Sequence, residues 1–265
     1  MIPKVIHYCW FGRGPKSEII QKCMASWREF CPDYEIIEWN EDNFDVNSIP
    51  YTADAYADKK WAFVSDYARL KIIYEHGGIY LDTDVELKNS LDSFLKYDCW
   101  LSQDDIRYIN TGLGFGAIKG NELIGVILRK RESLEYDGTI CNAIDTPIIR
   151  NYLSLKQSRN SQEINGAYIL GMLEYPQYAS HREVNSWKTE ASYHFHKRRI
   201  GKYWQLKSFL RNPAVINWLE RNGETLISRL YVFCAYDLLD NGPIYFAKRL
   251  IRKVAKKLFP QKIND

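Results

Sequence analysis

A chain of 265 residues is long enough to bury one full hydrophobic core with a small appendage. Its hydrophobic content of 46% and charged content of 26% exclude a disordered or fibrous protein. The net charge of +3 is too small to argue for a polyanionic partner, and no apolar run reaches the eighteen or so residues of a membrane span.

The opening, Met1-Ile2-Pro3-Lys4-Val5-Ile6-His7, has neither the basic start nor the long apolar stretch of a signal peptide. The six cysteines include no C-x-x-C pair and no zinc-ligand spacing, so free thiols in a reducing, cytoplasmic setting are expected.

In chain order, Val5–Phe11 reads as a buried strand ended by the loop Gly12-Arg13-Gly14-Pro15. Ser17 caps a predicted helix running to about Phe30, and Tyr34–Trp39 follows as a second strand. A long helix is expected from Lys60 to His76, stopped by Gly77-Gly78. Ile79–Leu87 reads as one strand, Trp100–Gln103 and Gly112–Ile118 as two more, and Glu122–Leu134 as a helix. Strands alternating with helices imply an α/β fold. Beyond about Trp204 the pattern turns helical, with Asn212-Pro213 as a helix start.

The chemistry concentrates at Asp82-Thr83-Asp84. On a strand, Asp82 and Asp84 would share a face, and two adjacent carboxylates raise each other's pKa unless a cation lies between them. Hard oxygen ligands point to Mn²⁺ or Mg²⁺, with positions left for a substrate's phosphates. Sixteen residues earlier, Asp66 and Arg69 stand three apart in a predicted helix that is otherwise strongly apolar. They share one helix face, so they pair with each other or reach one ligand together.

These segments together resemble the family 32 glycosyltransferases, bacterial capsular and exopolysaccharide transferases with an Asp-x-Asp sugar-binding region. The resemblance is carried by Ile2–Gly12, by Ala62-Phe63-Val64-Ser65-Asp66-Tyr67-Ala68-Arg69, and by Gly77-Gly78-Ile79-Tyr80-Leu81-Asp82-Thr83-Asp84. Asn110–Ala117 and Ser192–His196 extend it, and the glucosyltransferase domains of clostridial toxins are more distantly similar. The resemblance implies a GT-A, Rossmann-like catalytic domain over residues 1–204, followed by a helical, basic extension over 205–265. It also implies a nucleotide-sugar donor, expected to be a UDP-linked hexose (Gal, GalNAc or GlcNAc), and a glycan or lipid-linked glycan acceptor in surface polysaccharide synthesis.

Residue by residue, the resemblance gives Trp10 the role of stacking on the donor base, and Asp66 and Arg69 that of holding the sugar hydroxyls. Ser65 belongs to the same donor-binding motif, and Asn110 falls where a polar group approaches the sugar. Asp82 matches the carboxylate that contacts ribose and metal, and Asp84 the direct metal ligand. By register His196 is the C-terminal metal ligand, with His194 two residues before it, although Lys197 stands where a second His is usual.

The implied reaction retains the anomeric configuration, with same-face attack favoured. A double displacement would need a carboxylate nucleophile, for which Asp104, Asp105 and Asp145 are the candidates. The rival readings are a nucleotide-sugar hydrolase using the same acids and a binding scaffold without chemistry. No recognition motif supports nucleic acid as a partner.

At the C-terminus, Ala247, Leu250, Ile251, Val254 and Leu258 follow helical spacing, and seven basic residues face one acid between 248 and 265. Two readings stay open for residues 244–259: a helix packed on the catalytic domain, or one lying on the anionic inner face of a membrane.

Overall fold

The computed structural model describes residues 1–182, apart from 104–107 and 138. His194, His196, Asp104, Asp105, the division at 204/205 and the basic stretch 244–259 lie outside the described residues.

The chain begins with β1 (Val5–Cys9), α1 (Glu18–Phe30) and β2 (Glu35–Trp39), then α2 (Pro50–Ala57) and α3 (Trp61–His76). It continues through β3 (Gly78–Tyr80), β4 (Val85–Leu87), β5 (Cys99–Ser102), β6 (Phe115–Ala117) and α4 (Glu122–Glu132). The last described elements are α5 (Cys141–Leu153), β7 (Gln162–Ile164), β8 (Ala167–Leu170), α6 (Tyr175–Tyr178) and β9 (Ala179–His181).

A seven-stranded sheet runs in the order β2-β1-β3-β6-β5-β8-β7, while β4 and β9 form a separate antiparallel pair. The β1–β2, β1–β3 and β5–β8 contacts are parallel, and β6 and β7 run against the others. Five of the seven strands therefore point one way, and the expected α/β, Rossmann-like architecture with a mostly parallel sheet is present. In such a sheet ligands bind beyond the C-terminal strand ends. The ends of β1, β3 and β5 lead there to Trp10, Asp82 and Gln103.

One hydrophobic core lies between the sheet and α3, α4 and α5, including Leu70, Ile73, Phe115, Ile124 and Ile149. The second forms on the other face, around Trp27, Ile79, Leu91, Phe94 and Trp100. The central helix α3 buries residues on nearly all sides, which is why its sequence is apolar all round rather than striped.

Local signals account for the element ends. Ser17 accepts the Ile20 N–H as an N-cap, as expected. Gly77 ends α3 at φ 73°, and Gly78 at φ 100° lies so close to β1 that a Cβ would come within 2.9 Å of Val5 O and His7 Nε2. Only glycine turns the chain directly from helix into strand there.

The single expected strand Ile79–Leu87 is in fact two. β3 stops at Tyr80, residues 83–84 form a turn closed by Val85 N donating to Asp82 O at 3.0 Å, and β4 starts at Val85. Asp82 and Asp84 thus converge through a turn between two sheets, not by alternation along one strand.

Candidate active site

Three carboxyl or imidazole side chains meet at this turn. Asp82, Asp84 and His181 each offer a ligand atom, all within 4.8 Å of one another. His181 Nε2 lies 3.3 Å from Asp84 Oδ1, brought there by the β4–β9 register that pairs Val85 with His181. Arg182 N also donates to Asp84 O at 2.9 Å. From the other side α1 holds β4, since Trp27 Nε1 donates to Val85 O and Leu87 N donates to Ser26 Oγ, both at 2.8 Å. The turn is therefore clamped at both ends.

Behind it stands an ion network. Arg69 Nη2 lies 2.6 Å from Asp66 Oδ1, and Arg69 Nη1 lies 3.5 Å from Asp82 Oδ1. Arg69 is nearly inaccessible, with a side-chain exposure of 3% against 31% for Asp82, so the Asp82 carboxylate rather than the guanidinium faces outward. Tyr80 adds a hydroxyl donating to Asp82 Oδ1 at 2.9 Å, and its ring lies under the guanidinium. Arg69 Nε has no hydrogen-bond partner among the described residues.

Gly112 closes the site from the β6 side. Its carbonyl accepts Asp82 N–H at 3.2 Å, and a Cβ there would collide with Asp82 Oδ2. Asn110 Oδ1 accepts the Gly112 N–H at 2.9 Å, so the side chain expected near the sugar also shapes this loop.

Trp10 sits at the end of β1, half-buried, with Nε1 donating to Gly14 O and the Lys16 ammonium 5.2 Å from its ring. Ser65 turns its hydroxyl back to Trp61 O within α3, an ordinary helix contact. Asp145 is not free to act as a nucleophile: it is fully buried and paired to Arg131 through two 3.0 Å hydrogen bonds. Of the six cysteines, the five among the described residues are free thiols.

Electrostatics favour a cation. Burial and the charge of Asp84 push the Asp82 carboxyl up to about 6, against the pull of Arg69. A divalent ion would relieve that strain, and two carboxylates plus one imidazole suit Mn²⁺ better than Mg²⁺. His181 was not foreseen as a partner, since nothing local marks it.

A pH signature follows. The folded, metal-free chain takes up a proton at Asp82 near pH 6, whereas the unfolded chain does so near pH 4. Metal-free stability therefore falls as pH rises between those values, and a divalent cation held beside Asp82 would offset the loss above them. The rise in Tm on adding saturating Mn²⁺ should be larger near pH 7.5 than near pH 5. Equal rises at both would contradict a role for Asp82 in holding the ion.

Residues 17–104 match the family profile described as the glycosyltransferase sugar-binding region containing the DXD motif. The segment includes α3 and the Asp82–Asp84 turn, so the acids and the Asp66–Arg69 pair fall inside it. Among individual relatives, the chain is 29% identical over 135 residues to inositol phosphoceramide mannosyltransferase 3 of Schizosaccharomyces pombe, covering 48% of this chain and 36% of that one. It is 28% identical over 109 residues to mannosyl phosphorylinositol ceramide synthase SUR1 of Saccharomyces cerevisiae, covering 38% and 27%. The chain thus spans about a third of the length of these relatives.

Among solved structures, the PaToxG glycosyltransferase overlaps 58% of this chain and 70% of its own at 19% identity and a TM-score of 0.48. The galactosyltransferase LgtC overlaps 62% and 72% at 15% identity and a TM-score of 0.37.

Proposed function

We propose that this protein is a metal-dependent glycosyltransferase that moves a hexose from a nucleotide sugar to a glycan or lipid-linked acceptor. The observation that carries the proposal is the meeting of Asp82, Asp84 and His181 at the C-terminal edge of the sheet, directly beside the Asp66–Arg69 pair. The DXD-region match over the same residues supports it.

In this reading Asp84, Asp82 and His181 hold the ion, and His196, outside the described residues, is a further ligand candidate. When bound, the ion stabilises the charge of the departing nucleoside diphosphate. Asp66 and Asp82 present acceptor oxygens to the sugar hydroxyls, while Arg69 holds both in place. Trp10 offers an aromatic face to the base, and Asn110 a polar edge to the sugar. With Asp145 locked in its pair with Arg131, same-face attack with retention is favoured over a covalent intermediate on that residue. The relatives' names add a mannose donor and an inositol phosphoceramide acceptor to the expected UDP-hexoses and glycans. The basic stretch 244–259 would bring the enzyme to an anionic, cytoplasmic membrane face where lipid acceptors lie.

The test is a donor screen in Mn²⁺: UDP-Gal, UDP-GalNAc, UDP-GlcNAc and a nucleotide-linked mannose, each with and without glycan and lipid acceptors. Sugar appearing on an acceptor with its anomeric configuration retained supports the proposal. Donor cleavage at the same rate with or without every acceptor would identify a hydrolase instead.

A further inference from the structure

Helix α5 supplies none of the groups assigned above, yet one face of it is tied to the site at several points. Arg69 Nη2 donates to Cys141 Sγ at 3.0 Å. Asp145 anchors the helix from within, fully buried against Arg131, which also donates to the Tyr51 hydroxyl at 3.3 Å. Next to it Thr146, 3% exposed, points its hydroxyl away from its own helix, although threonines in helices commonly bond back to the preceding turn. Thr146 Oγ1 instead accepts from Ile109 N at 3.0 Å and donates to Ile109 O at 3.2 Å. One hydroxyl therefore satisfies both backbone groups of the residue before Asn110.

The contacts continue toward the acids. Asn110 N donates to Ser102 O at 2.9 Å, Asn110 Oδ1 caps Gly112 N, and Gly112 O receives Asp82 N. Gly112 lies against Asp82 Oδ2 with no room for a Cβ, so movement of this loop bears directly on that carboxylate.

We infer that Thr146 is a positioning residue for the donor site: held by the Arg131–Asp145 pair, its hydroxyl fixes Ile109 and, through the Asn110–Gly112 loop, the placement of Asp82. A misplacement of about 1 Å in a reacting assembly lowers rate far more than it lowers binding. This rests on the proposed glycosyltransfer at Asp82 and Asn110.

The test compares Thr146→Val, which keeps shape but removes both hydrogen bonds, with Thr146→Ser, which keeps the hydroxyl. Each full-length variant is assayed with the active nucleotide sugar in Mn²⁺, its kcat normalised to the sites that bind free nucleotide. Valine should lower kcat about 10- to 100-fold and leave nucleotide and Mn²⁺ affinity within about 2-fold, while serine restores kcat to within about 3-fold. Combining Thr146→Val with Asn110→Ala should be no slower than Asn110→Ala alone, since both act through one loop.

Amide hydrogen exchange on the metal-free chain gives a readout independent of catalysis: faster at Ile109–Gly112 in the valine variant, unchanged in the serine variant. A valine variant with normal kcat, a serine variant as slow as valine, multiplying losses in the double variant, or unchanged exchange in the loop would each overturn the inference. Failure of the functional reading looks different: the wild type would consume no nucleotide sugar, while the exchange contrast between valine and serine persisted.

Discussion

Asp84→Asn is expected to lower Mn²⁺-dependent turnover by about 100-fold or more, because the proposed metal site would lose a charged ligand and with it the ion that offsets the leaving diphosphate's charge. The fold should survive. The amide keeps the carboxylate's shape, and the turn stays closed by backbone bonds from Val85 N to Asp82 O and from Arg182 N to Asp84 O. Neither bond uses the side chain. His181→Ala, removing a neutral ligand, should raise the Mn²⁺ requirement by a smaller factor, about 10-fold. Calorimetric titration of Mn²⁺ alongside steady-state rates checks both. Turnover near wild type in Asp84→Asn at low Mn²⁺ would remove the acid pair from the metal site.

Arg69→Lys is expected to cut turnover by roughly 100-fold, the scale seen when one well-aimed polar group is lost from a reacting site. The guanidinium spans Asp66 at 2.6 Å, Asp82 at 3.5 Å and Cys141 at 3.0 Å from a buried position. A lysine ammonium keeps the charge but cannot reach three partners in a plane, so the two carboxylates lose their common brace. Because the charge is retained, the chain should still fold. Removing it with Arg69→Met would leave the buried Asp66 carboxylate unpaired at a cost of about 3–5 kcal/mol. Affinity for free nucleotide should change little in Arg69→Lys. An equal loss of nucleotide affinity and turnover would place Arg69 against phosphate instead.

Much of the scaffold was legible locally. Ser17 as a cap, Gly77-Gly78 as the stop of α3, and the apolar runs of β1 and β2 all declare themselves through neighbouring residues. The acids were legible too, though for an incorrect reason: alternation along a strand was invoked where a turn between β3 and β4 brings them together. Helix α5 was missed because Pro147 stands inside it, and an interior proline argues against a helix. The β7–β8 hairpin carried a readable signal in Asn165-Gly166, both at positive φ, between two short runs that gave little period-two pattern.

His181 had no local mark at all. It reaches Asp84 only because β9 pairs with β4 across a long sequence separation. The Arg131–Asp145 pair was hidden similarly: each residue looks like a surface charge until α4 and α5 pack together. Asp145 consequently entered the sequence reading as a candidate nucleophile and leaves it as part of the buried frame.

The proposed mechanism requires an ion held by Asp82, Asp84 and His181 for nucleotide-sugar turnover. Its most direct test strips the full-length chain with EDTA, removes the chelator, and follows nucleotide release from the best donor as Mn²⁺ is titrated back. No release is expected from the stripped protein, with recovery that saturates as a single ion binds and no recovery in Asp84→Asn. Undiminished release in the presence of EDTA would contradict it.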